Sequence, residues 1–227
     1  MSAAPYAALV AEHGLSDSHR LLVAAVPPGS RVLDVGCATG YLAAELTRAG
    51  CTVTGVEPDR DAAVAARARC DAVVAGDVED PACRAELAAH GPFGAIVCGD
   101  VLEHLRDPWD ALGFLATLLS PGGRAVVSVP NIAHWTGRRA LVGGRFPYAD
   151  HGLFDRTHLR FFTRSGAHAL VASAGLRVVE EAFAPGPLPL QAHLPALGRL
   201  AASAAHRWPE LFALQVVLVA QRVIDEP

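Results

Sequence analysis

The apolar positions of this chain fall into short runs that recur along its first two thirds. Runs rich in β-branched residues occupy 31–35, 52–56, 72–75, 95–98 and 125–129, and Ala-, Leu-, Glu- and Arg-rich segments separate them. Runs of this length are typical of buried strands, and the intervening segments are typical of helices. The alternation predicts a parallel sheet whose strands are joined by right-handed crossovers, with helices on both faces.

The spacing of turn residues supports these boundaries, and the pattern changes after Asn131. Gly50 follows a helical segment, Pro58 ends the second strand, and SPGG at 120–123 is predicted to turn a helix into the fifth strand. A segment rich in His, Arg and aromatic residues then reaches residue 162. Further predicted elements are a helix at about 164–174, strands near 176–183 and 213–223 that pair antiparallel, and a helix near 197–207.

The whole chain is predicted to form one domain with a seven-stranded, mostly parallel sheet. Residues 1–30 are expected to be a helical cover over the top of the sheet, with Ser16 as an N-cap. Residues 31–131 form the predicted ligand-binding core and 132–165 a lid over a second ligand. Residues 166–227 complete the fold, and the Pro-rich stretch at 185–195 is predicted to be a surface loop.

Composition narrows the class of protein. With 227 residues and 52% apolar content, the chain can bury one full core. The net charge is −4, and the 19 basic residues are scattered arginines, which argues against a nucleic-acid partner. The five cysteines form no CxxC pair, so neither a disulfide framework nor a zinc site is indicated. The sequence has no signal-peptide pattern and no apolar run of ~20 residues, so we expect a cytoplasmic protein without membrane contact.

The loop after the first strand reads VGCATG at residues 35–40. A dinucleotide fingerprint would place glycines at 36, 38 and 41, where this chain has Gly36, Ala38 and Tyr41. A phosphate-binding GxxxxGK pattern is also absent from this loop. The helix that starts near Gly40 still offers free N–H groups to a small anion such as a carboxylate. The loop therefore indicates a ligand without a pyrophosphate.

Acidic residues follow the second and third strands. Glu57 stands 21 positions after Gly36, where a carboxylate can accept hydrogen bonds from both hydroxyls of a ribose. A charge placed at a helix N-terminus beside Pro58 is the alternative interpretation. Asp77, in AGDVED, can accept a hydrogen bond from an adenine amine with Val78 against the ring, although a turn-forming Asp explains it as well.

The ordered motifs VLDVGCATG, GVEPD, GDVED, FGAIVCGDVLEHLRDPWDAL and LLSPGGRAVVSVPN resemble the class I S-adenosylmethionine-dependent methyltransferases. The resemblance covers about residues 30–131 and is strongest to the small-molecule branch that includes the ubiquinone-biosynthesis O-methyltransferases. Ala38 departs from the GxGxG that this family usually has. The resemblance implies an α/β, Rossmann-like class I methyltransferase fold and S-adenosylmethionine as cofactor, held by Asp34, Gly36, Cys37, Ala38, Gly40, Tyr41, Glu57, Pro58, Gly76, Asp77, Val78, Asp100, Val101 and Leu102.

Residues 143–181 also resemble a bacterial branch of these enzymes that works in polysaccharide or specialised-metabolite pathways. We therefore expect methyl transfer to a small-molecule acceptor, at oxygen, in specialised or cell-surface metabolite biosynthesis. Transfer to nitrogen is the second choice, and a non-catalytic S-adenosylmethionine-binding protein is a further alternative. A nicotinamide-dependent oxidoreductase is disfavoured by Ala38 and Tyr41.

Candidate catalytic and acceptor-binding residues lie after the fourth strand and in the predicted lid. His104, His151 and His158 are the candidate general bases, although His104 can equally orient its loop. In the lid, Asp150 and Asp155 can orient a base or tie the lid together. Arginines can bind an acidic acceptor and aromatic rings can wall a planar one. The predicted acceptor-binding residues are His134, Trp135, Arg145, Tyr148 and Arg160.

No metal site is predicted. Asp100 and Asn131 end adjacent strands and offer oxygen donors, but the sequence provides no convincing third carboxylate. The oligomeric state is left open, with a homodimer as one option.

Overall fold

The computed structural model describes residues 14–186 and 195–223, together with residues 10 and 12. One seven-stranded sheet has the strand order β3-β2-β1-β4-β5-β7-β6. The expectations for the other N-terminal residues and for most of the Pro-rich stretch lie outside the described residues. The strands are β1 Arg31–Val35, β2 Thr52–Glu57, β3 Ala72–Ala75, β4 Phe93–Gly99, β5 Leu119–Pro130, β6 Leu176–Pro185 and β7 Ala213–Arg222.

Helices connect the strands where the sequence predicts them, and two further helices, Trp135–Val142 and Pro209–Phe212, were not predicted. A short 3-10 helix, Leu102–His104, follows β4. In the described part of the chain no helix is long and apolar enough to cross a membrane. The α-helices are α1 Asp17–Ala25, α2 Tyr41–Arg48, α3 Arg60–Ala66, α4 Pro81–His90, α5 Pro108–Thr117, α6 Trp135–Val142, α7 Arg164–Ser173, α8 Pro195–Arg207 and α9 Pro209–Phe212.

The pairing of the strands confirms the predicted mixed sheet. Strands β1 to β5 pair in parallel, and β7 lies antiparallel between β5 and β6. One boundary differs, because β5 begins at Leu119, before the SPGG segment that we expected to be a separate turn. Gly122 has a φ of 74°, and the β4–β5 register shifts beside it. The glycines thus let the strand bend there without ending.

The core has two apolar layers, one on each face of the sheet. Alternate residues of β1 show the division, because Leu33 belongs to one layer and Val32 to the other. The Leu33 layer contains Leu112 of α5 and the Val32 layer contains Leu22 of α1. Burial on both faces explains why the parallel strands read as largely continuous apolar runs.

Helix α1 begins with the N-cap that the sequence predicts. The Ser16 hydroxyl accepts a hydrogen bond from the His19 N–H (3.2 Å), and His19 Nδ1 accepts one from the Ser16 N–H (3.3 Å). The pair forms a capping box. Because Leu22 lies in the core, the helix packs against one face of the sheet and not over its top, where we expected it. This docking brings His19 to the end of the sheet at which ligands bind in such folds.

Candidate active site

A cavity of about 300 Å³ lies at the carboxyl ends of β1, β2 and β4. This is the place where a doubly wound sheet reverses its strand order and binds ligands. Ten of the predicted cofactor residues line it: Gly36, Ala38, Tyr41, Glu57, Pro58, Gly76, Asp77, Val78, Asp100 and Val101. The rest of its lining is His19, Val35, Val56, Glu79, Gly99, His104, Leu105, Asp150, Asp155 and Thr157.

The loop between β1 and α2 is held in a tight, left-handed path. Gly36, Ala38 and Gly40 have φ angles of 67°, 47° and 78°. A Cβ on Gly36 would lie 2.6 Å from a methyl of Val101, so the wall of the cavity needs glycine at this position. The Gly36 N–H donates to the Val56 carbonyl (2.8 Å), which ties the loop to β2.

Glu57 connects this loop to the end of β2. Its Oε2 accepts a hydrogen bond from the Ala38 N–H (2.9 Å), and its Oε1 accepts one from the Asp59 N–H (2.9 Å). The side chain is buried yet lines the cavity. Each carboxylate oxygen can accept more than one hydrogen bond. Glu57 can therefore shape the loop and still accept hydrogen bonds from ribose hydroxyls.

We expect Ala38→Gly to stabilise the protein without weakening ligand binding. Alanine in the left-handed region costs roughly 1–2 kcal/mol, and glycine relieves that cost at some expense in chain entropy. The expected gain in the free energy of unfolding is ~0.5–1 kcal/mol. Urea denaturation with and without the ligand measures both quantities. A loss of affinity greater than about threefold would show that the Ala38 methyl itself contacts the ligand.

Four predicted cofactor residues lie behind the lining in the described structure. Asp34, Cys37 and Leu102 are buried, and Gly40 caps α2. A Cβ on Gly40 would lie 3.0 Å from the Cβ of Arg69, so this glycine serves close packing of the loop. These residues support the cavity, and direct contact with a ligand stays a prediction for them.

The third strand leads to the opposite side of the cavity. Asp77 Oδ1 accepts a hydrogen bond from the Glu79 N–H (2.9 Å), which is the turn that the sequence offered as the alternative. The Asp77 carboxylate also lines the cavity beside the buried Val78. Glu79, which we did not predict, accepts hydrogen bonds from the Arg106 and Asp107 N–H groups (3.1 and 2.8 Å). It joins this turn to the segment after β4.

Asp100 directly follows β4 and has a left-handed conformation, with a φ of 55°. Asp100 Oδ1 accepts a hydrogen bond from the Ser128 hydroxyl (2.5 Å), and the Asp100 N–H donates to the oxygen of that hydroxyl (3.0 Å). The side chain of Asn131 makes different contacts, because its amide donates to the Ala213 carbonyl (2.9 Å) and its oxygen accepts the Ala133 N–H (3.1 Å). The two donors that we considered for a metal therefore serve separate structural purposes.

His104 lies on the 3-10 helix and lines the cavity. Its Nδ1 is 3.2 Å from both the carbonyl and the hydroxyl oxygen of Thr157. The Thr157 hydroxyl donates to Asp155 (2.6 Å). Because a carbonyl only accepts, Nδ1 carries the proton and Nε2 keeps its lone pair. Burial lowers the pKa of His104, so the ring is neutral at pH 7.

His158 and Glu103 stand behind His104. The rings of the two histidines meet edge to face with centroids 4.8 Å apart, and His158 Nε2 lies 3.9 Å from Glu103 Oε1. Within the described residues both Glu103 carboxyl oxygens lack a hydrogen-bond partner. Burial raises the pKa of Glu103 well above its usual range and lowers that of His158 to about 4. Both imidazoles are therefore neutral at pH 7, and burial favours the protonated form of the Glu103 carboxyl beside them.

The same three side chains are the natural candidates for a metal ion. Their nitrogen and oxygen atoms lie within 4.8 Å of one another. Tetrahedral Zn²⁺ with bonds of ~2.1 Å needs ligand atoms roughly 3.4 Å apart, so the side chains would have to close around it. As arranged, they are better suited to orienting His104 than to holding an ion.

A family model described as a methyltransferase domain matches residues 9–181 of the chain. The chain belongs to this methyltransferase family. It is 42% identical over 103 residues to a ubiquinone biosynthesis O-methyltransferase of Ralstonia nicotianae, covering 44% of this chain and 43% of that protein. It is 33% identical over 158 residues to the Burkholderia thailandensis protein of that name, covering 67% of each chain. The chain thus spans about half the length of the curated relatives that it matches first.

A solved structure agrees on the fold. A SAM-dependent methyltransferase from Archaeoglobus fulgidus superimposes with a TM-score of 0.63 at 17% identity, covering 96% of this chain and 99% of that one. The domain is therefore a Rossmann-like class I methyltransferase, a family that uses S-adenosylmethionine. The cavity fits that cofactor, because it pairs a glycine-walled loop with the carboxylates of Glu57 and Asp77.

In the described part of the methyltransferase, none of the five predicted acceptor-binding residues lines the cavity. Arg160 donates to the Arg106 carbonyl and lies over the Trp109 ring. His134 caps α6 through the Thr136 N–H (3.4 Å). Trp135 lies on α6, Arg145 is exposed after that helix, and Tyr148 is exposed beside Phe146. The candidate base His151 is also exposed and does not line the cavity. Their acceptor role stays a prediction.

Sequence reasoning did not name seven of the lining residues: His19, Val35, Val56, Glu79, Gly99, Leu105 and Thr157. His19 had a local signal, since it follows the N-cap Ser16 by three positions. Asp150, Asp155 and Thr157 come from the predicted lid, which therefore reaches the cavity through polar residues and not through its arginines. The aromatic rings of the lid pack on one another instead. The ring centroid of Phe146 lies 5.0 Å from that of Phe154 and 5.2 Å from that of Phe161.

The buried carboxyl of Asp34 is expected to make the stability of the methyltransferase depend on pH. Burial, with the charge of Glu57 adding, raises the pKa of Asp34 to about 7, against about 3.9 in an unfolded chain. Between these values the native state binds more protons than the unfolded state, so stability falls as pH rises from about 4 to about 7. We expect Asp34→Asn to raise the free energy of unfolding by ~1–3 kcal/mol at pH 8 and by less at pH 5.

Thermal unfolding at the two pH values tests this expectation. Asp61→Asn is the control, because Asp61 is exposed in the first turn of α3. An equal gain for Asp34→Asn at both pH values would refute the ionisation argument.

Proposed function

We propose that this domain transfers a methyl group from S-adenosylmethionine to a hydroxyl oxygen of a small, uncharged acceptor, with His104 as general base. The observation that carries the proposal is the fixed tautomer of His104 at the cavity wall. The Thr157 carbonyl holds Nδ1–H, so Nε2 is free to take a proton. A hydroxyl needs such a base because methyl transfer to oxygen removes its proton.

The chain's own residues would hold the cofactor along the cavity. The amino-acid end would lie against the loop from Gly36 to Gly40 and the helix N-terminus that follows it. Glu57 would accept from the ribose, and Asp77 with Val78 would hold the adenine. When bound, S-adenosylmethionine supplies an electrophilic methyl group on a positively charged sulfur. This placement directs the reacting end toward Asp100 and His104.

The surroundings of His104 support its role as a base. Proton transfer to Nε2 makes an imidazolium, whose Nδ1–H points to Thr157. The Thr157 hydroxyl donates to Asp155, so a negative charge lies one hydrogen bond behind the ring. Asp155 and Asp100 both act to raise the pKa of His104 against the effect of burial. These contacts would stabilise the charged ring that the reaction creates.

Charge limits the class of acceptor. The described lining contains six acidic residues and no arginine: Glu57, Asp77, Glu79, Asp100, Asp150 and Asp155. A carboxylate or phosphate on the acceptor would meet like charge close to His104. An uncharged aromatic alcohol meets no such cost. The acidic lining also favours a cationic amine, which makes transfer to nitrogen the second candidate.

Biological context is part of the proposal. The names of the curated relatives support a hydroxyl acceptor in quinone biosynthesis. The resemblance of residues 143–181 favours specialised or cell-surface metabolites. In either setting we propose a cytoplasmic enzyme that acts on a small molecule and not on nucleic acid, and whose homodimerisation is open to direct measurement.

Labelled methyl transfer to matched acceptors tests the proposal. The panel pairs each hydroxylated aromatic compound with its carboxylated analogue and with the corresponding amine. We expect label in the neutral hydroxyl compounds and little in the carboxylated ones. Label in amines alone would favour the nitrogen reaction. Tight binding of S-adenosylhomocysteine, the demethylated cofactor product, without transfer to any member would support the non-catalytic alternative.

A further inference from the structure

Two cysteine sulfurs meet beneath the cofactor loop. Cys37 belongs to that loop, and Cys70 lies between α3 and β3. A Cβ on Gly55 of β2 would lie 2.5 Å from the sulfur of Cys37 and 3.2 Å from the sulfur of Cys70. The two thiols therefore occupy one small space that exists because residue 55 has no side chain. Both sulfurs are free thiols.

The backbone on both sides of Cys70 is fixed to the neighbouring elements. The Arg69 guanidinium donates to the Thr39 carbonyl (2.6 Å), two residues after Cys37. Asp71 accepts the Val53 N–H (2.8 Å), and its own N–H donates to the Val53 carbonyl (2.8 Å). These bonds hold the two sulfurs together in the folded protein. The pairing is thus a property of the fold and not of one flexible side chain.

The two thiols differ in access. Cys37 is 3% exposed, whereas Cys70 is partly exposed. The neighbouring Cys70 thiol and, after it, burial raise the pKa of the Cys37 thiol. Cys70 is therefore the member of the pair that a reagent in solution reaches first.

We propose that Cys37 and Cys70 form a reversible disulfide that lowers the affinity of the cavity for its cofactor. A small disulfide is the oxidant. The Cys70 thiolate attacks one of its sulfur atoms, forms a mixed disulfide and releases one thiolate. Cys37 then attacks the Cys70 sulfur, and its proton passes to the departing sulfur, which leaves as a second small thiol. Two protein thiols are oxidised and one small disulfide is reduced.

The disulfide would act on the cavity through the loop. A disulfide bond of about 2.05 Å would draw the two sulfurs closer together, and we expect the loop backbone at Cys37 to shift so that they can meet. Gly36 and Ala38 flank Cys37 and line the cavity, and the Ala38 N–H is bound to Glu57. A shift of Cys37 therefore disturbs the cofactor loop and its link to the ribose-binding carboxylate. The inference rests on cofactor binding alone, whatever the acceptor.

Oxidation with glutathione disulfide tests the proposal on the intact chain. We expect the denatured, oxidised protein to have three titratable thiols instead of the five that the sequence provides, and peptide mapping to find Cys37 linked to Cys70. Calorimetric affinity for S-adenosylhomocysteine is expected to fall by about tenfold and to recover on reduction. Unchanged thiol numbers, or a disulfide between other cysteines, would overturn the pairing.

Two variants separate this pair from the remaining thiols. Cys70→Ser is expected to keep the reduced affinity and lose its sensitivity to oxidation. Cys51→Ser, at a buried cysteine outside the pair, is expected to behave as the unchanged protein does. Sensitivity that persists in Cys70→Ser would refute the proposed switch. Absence of binding in the reduced protein would contradict the cofactor assignment, while the thiol count would still decide whether the disulfide forms.

Discussion

Replacing Glu57 by Gln is expected to lower the affinity for S-adenosylhomocysteine by about 100-fold, or ~2.7 kcal/mol. The carboxylate accepts N–H groups from Ala38 and Asp59 and faces the cavity. An amide has one oxygen, so its NH₂ group would face one of these N–H donors, and the charge-assisted bonds to the ribose would be lost. Each such bond is worth about 1.5–3 kcal/mol.

The matched control is Glu86→Gln, since Glu86 is exposed on α4. Calorimetry on both variants gives the affinities, and circular dichroism shows whether the fold persists. Binding by the Glu57 variant within threefold of the unchanged protein would remove Glu57 from the ribose site and leave it the structural role alone.

The second large effect is expected at His104. His104→Asn should slow methyl transfer by about 10²–10³-fold, the usual contribution of a positioned general base. Affinity for S-adenosylhomocysteine should change far less, because Asn keeps a donor for the Thr157 carbonyl. Single-turnover rates with a labelled cofactor separate the two quantities.

The pH profile adds an independent readout. Because burial lowers the pKa of His104, the unchanged enzyme should keep its rate between pH 7 and pH 8 and lose it only in more acidic solution. The His104 variant should lack this acidic limb. His151→Asn is the control, because His151 is exposed and is not among the residues that line the cavity. Equal losses in both variants would argue against His104 as the base.

Local sequence pattern was sufficient to predict the strands, most of the helices and many of the residues that line the cavity. Parallel strands buried on both faces have continuous apolar runs, and their polar ends meet at one edge, so Glu57, Asp77 and Asp100 could be placed together. The N-cap at Ser16 could be predicted because it depends on only four consecutive residues. The reading of SPGG as a separate turn was wrong because glycine also permits a bend within a strand.

The acceptor side was harder to predict because its geometry depends on distant contacts. Arg160 is held by the Arg106 carbonyl, 54 positions away, and His104 is held by Thr157 at a separation of 53. A sequence pattern does not reveal such pairs. It also did not reveal that Ala38 adopts a left-handed conformation. That conformation is supported by a hydrogen bond from the Ala38 N–H to Glu57, which is 19 positions away in the sequence.

The position of β7 has a consequence for the order in which the molecule folds. This strand pairs with β5 along its length, from Arg124 with Gln221 to Pro130 with Gln215, and it also carries β6 on its other side. Contacts that close such long loops form slowly. During synthesis on the ribosome, strands β1 to β5 can therefore assemble while the outer edge of β5 is still unpaired. Only the emergence of β7 would cover that edge and protect the nascent domain from aggregation.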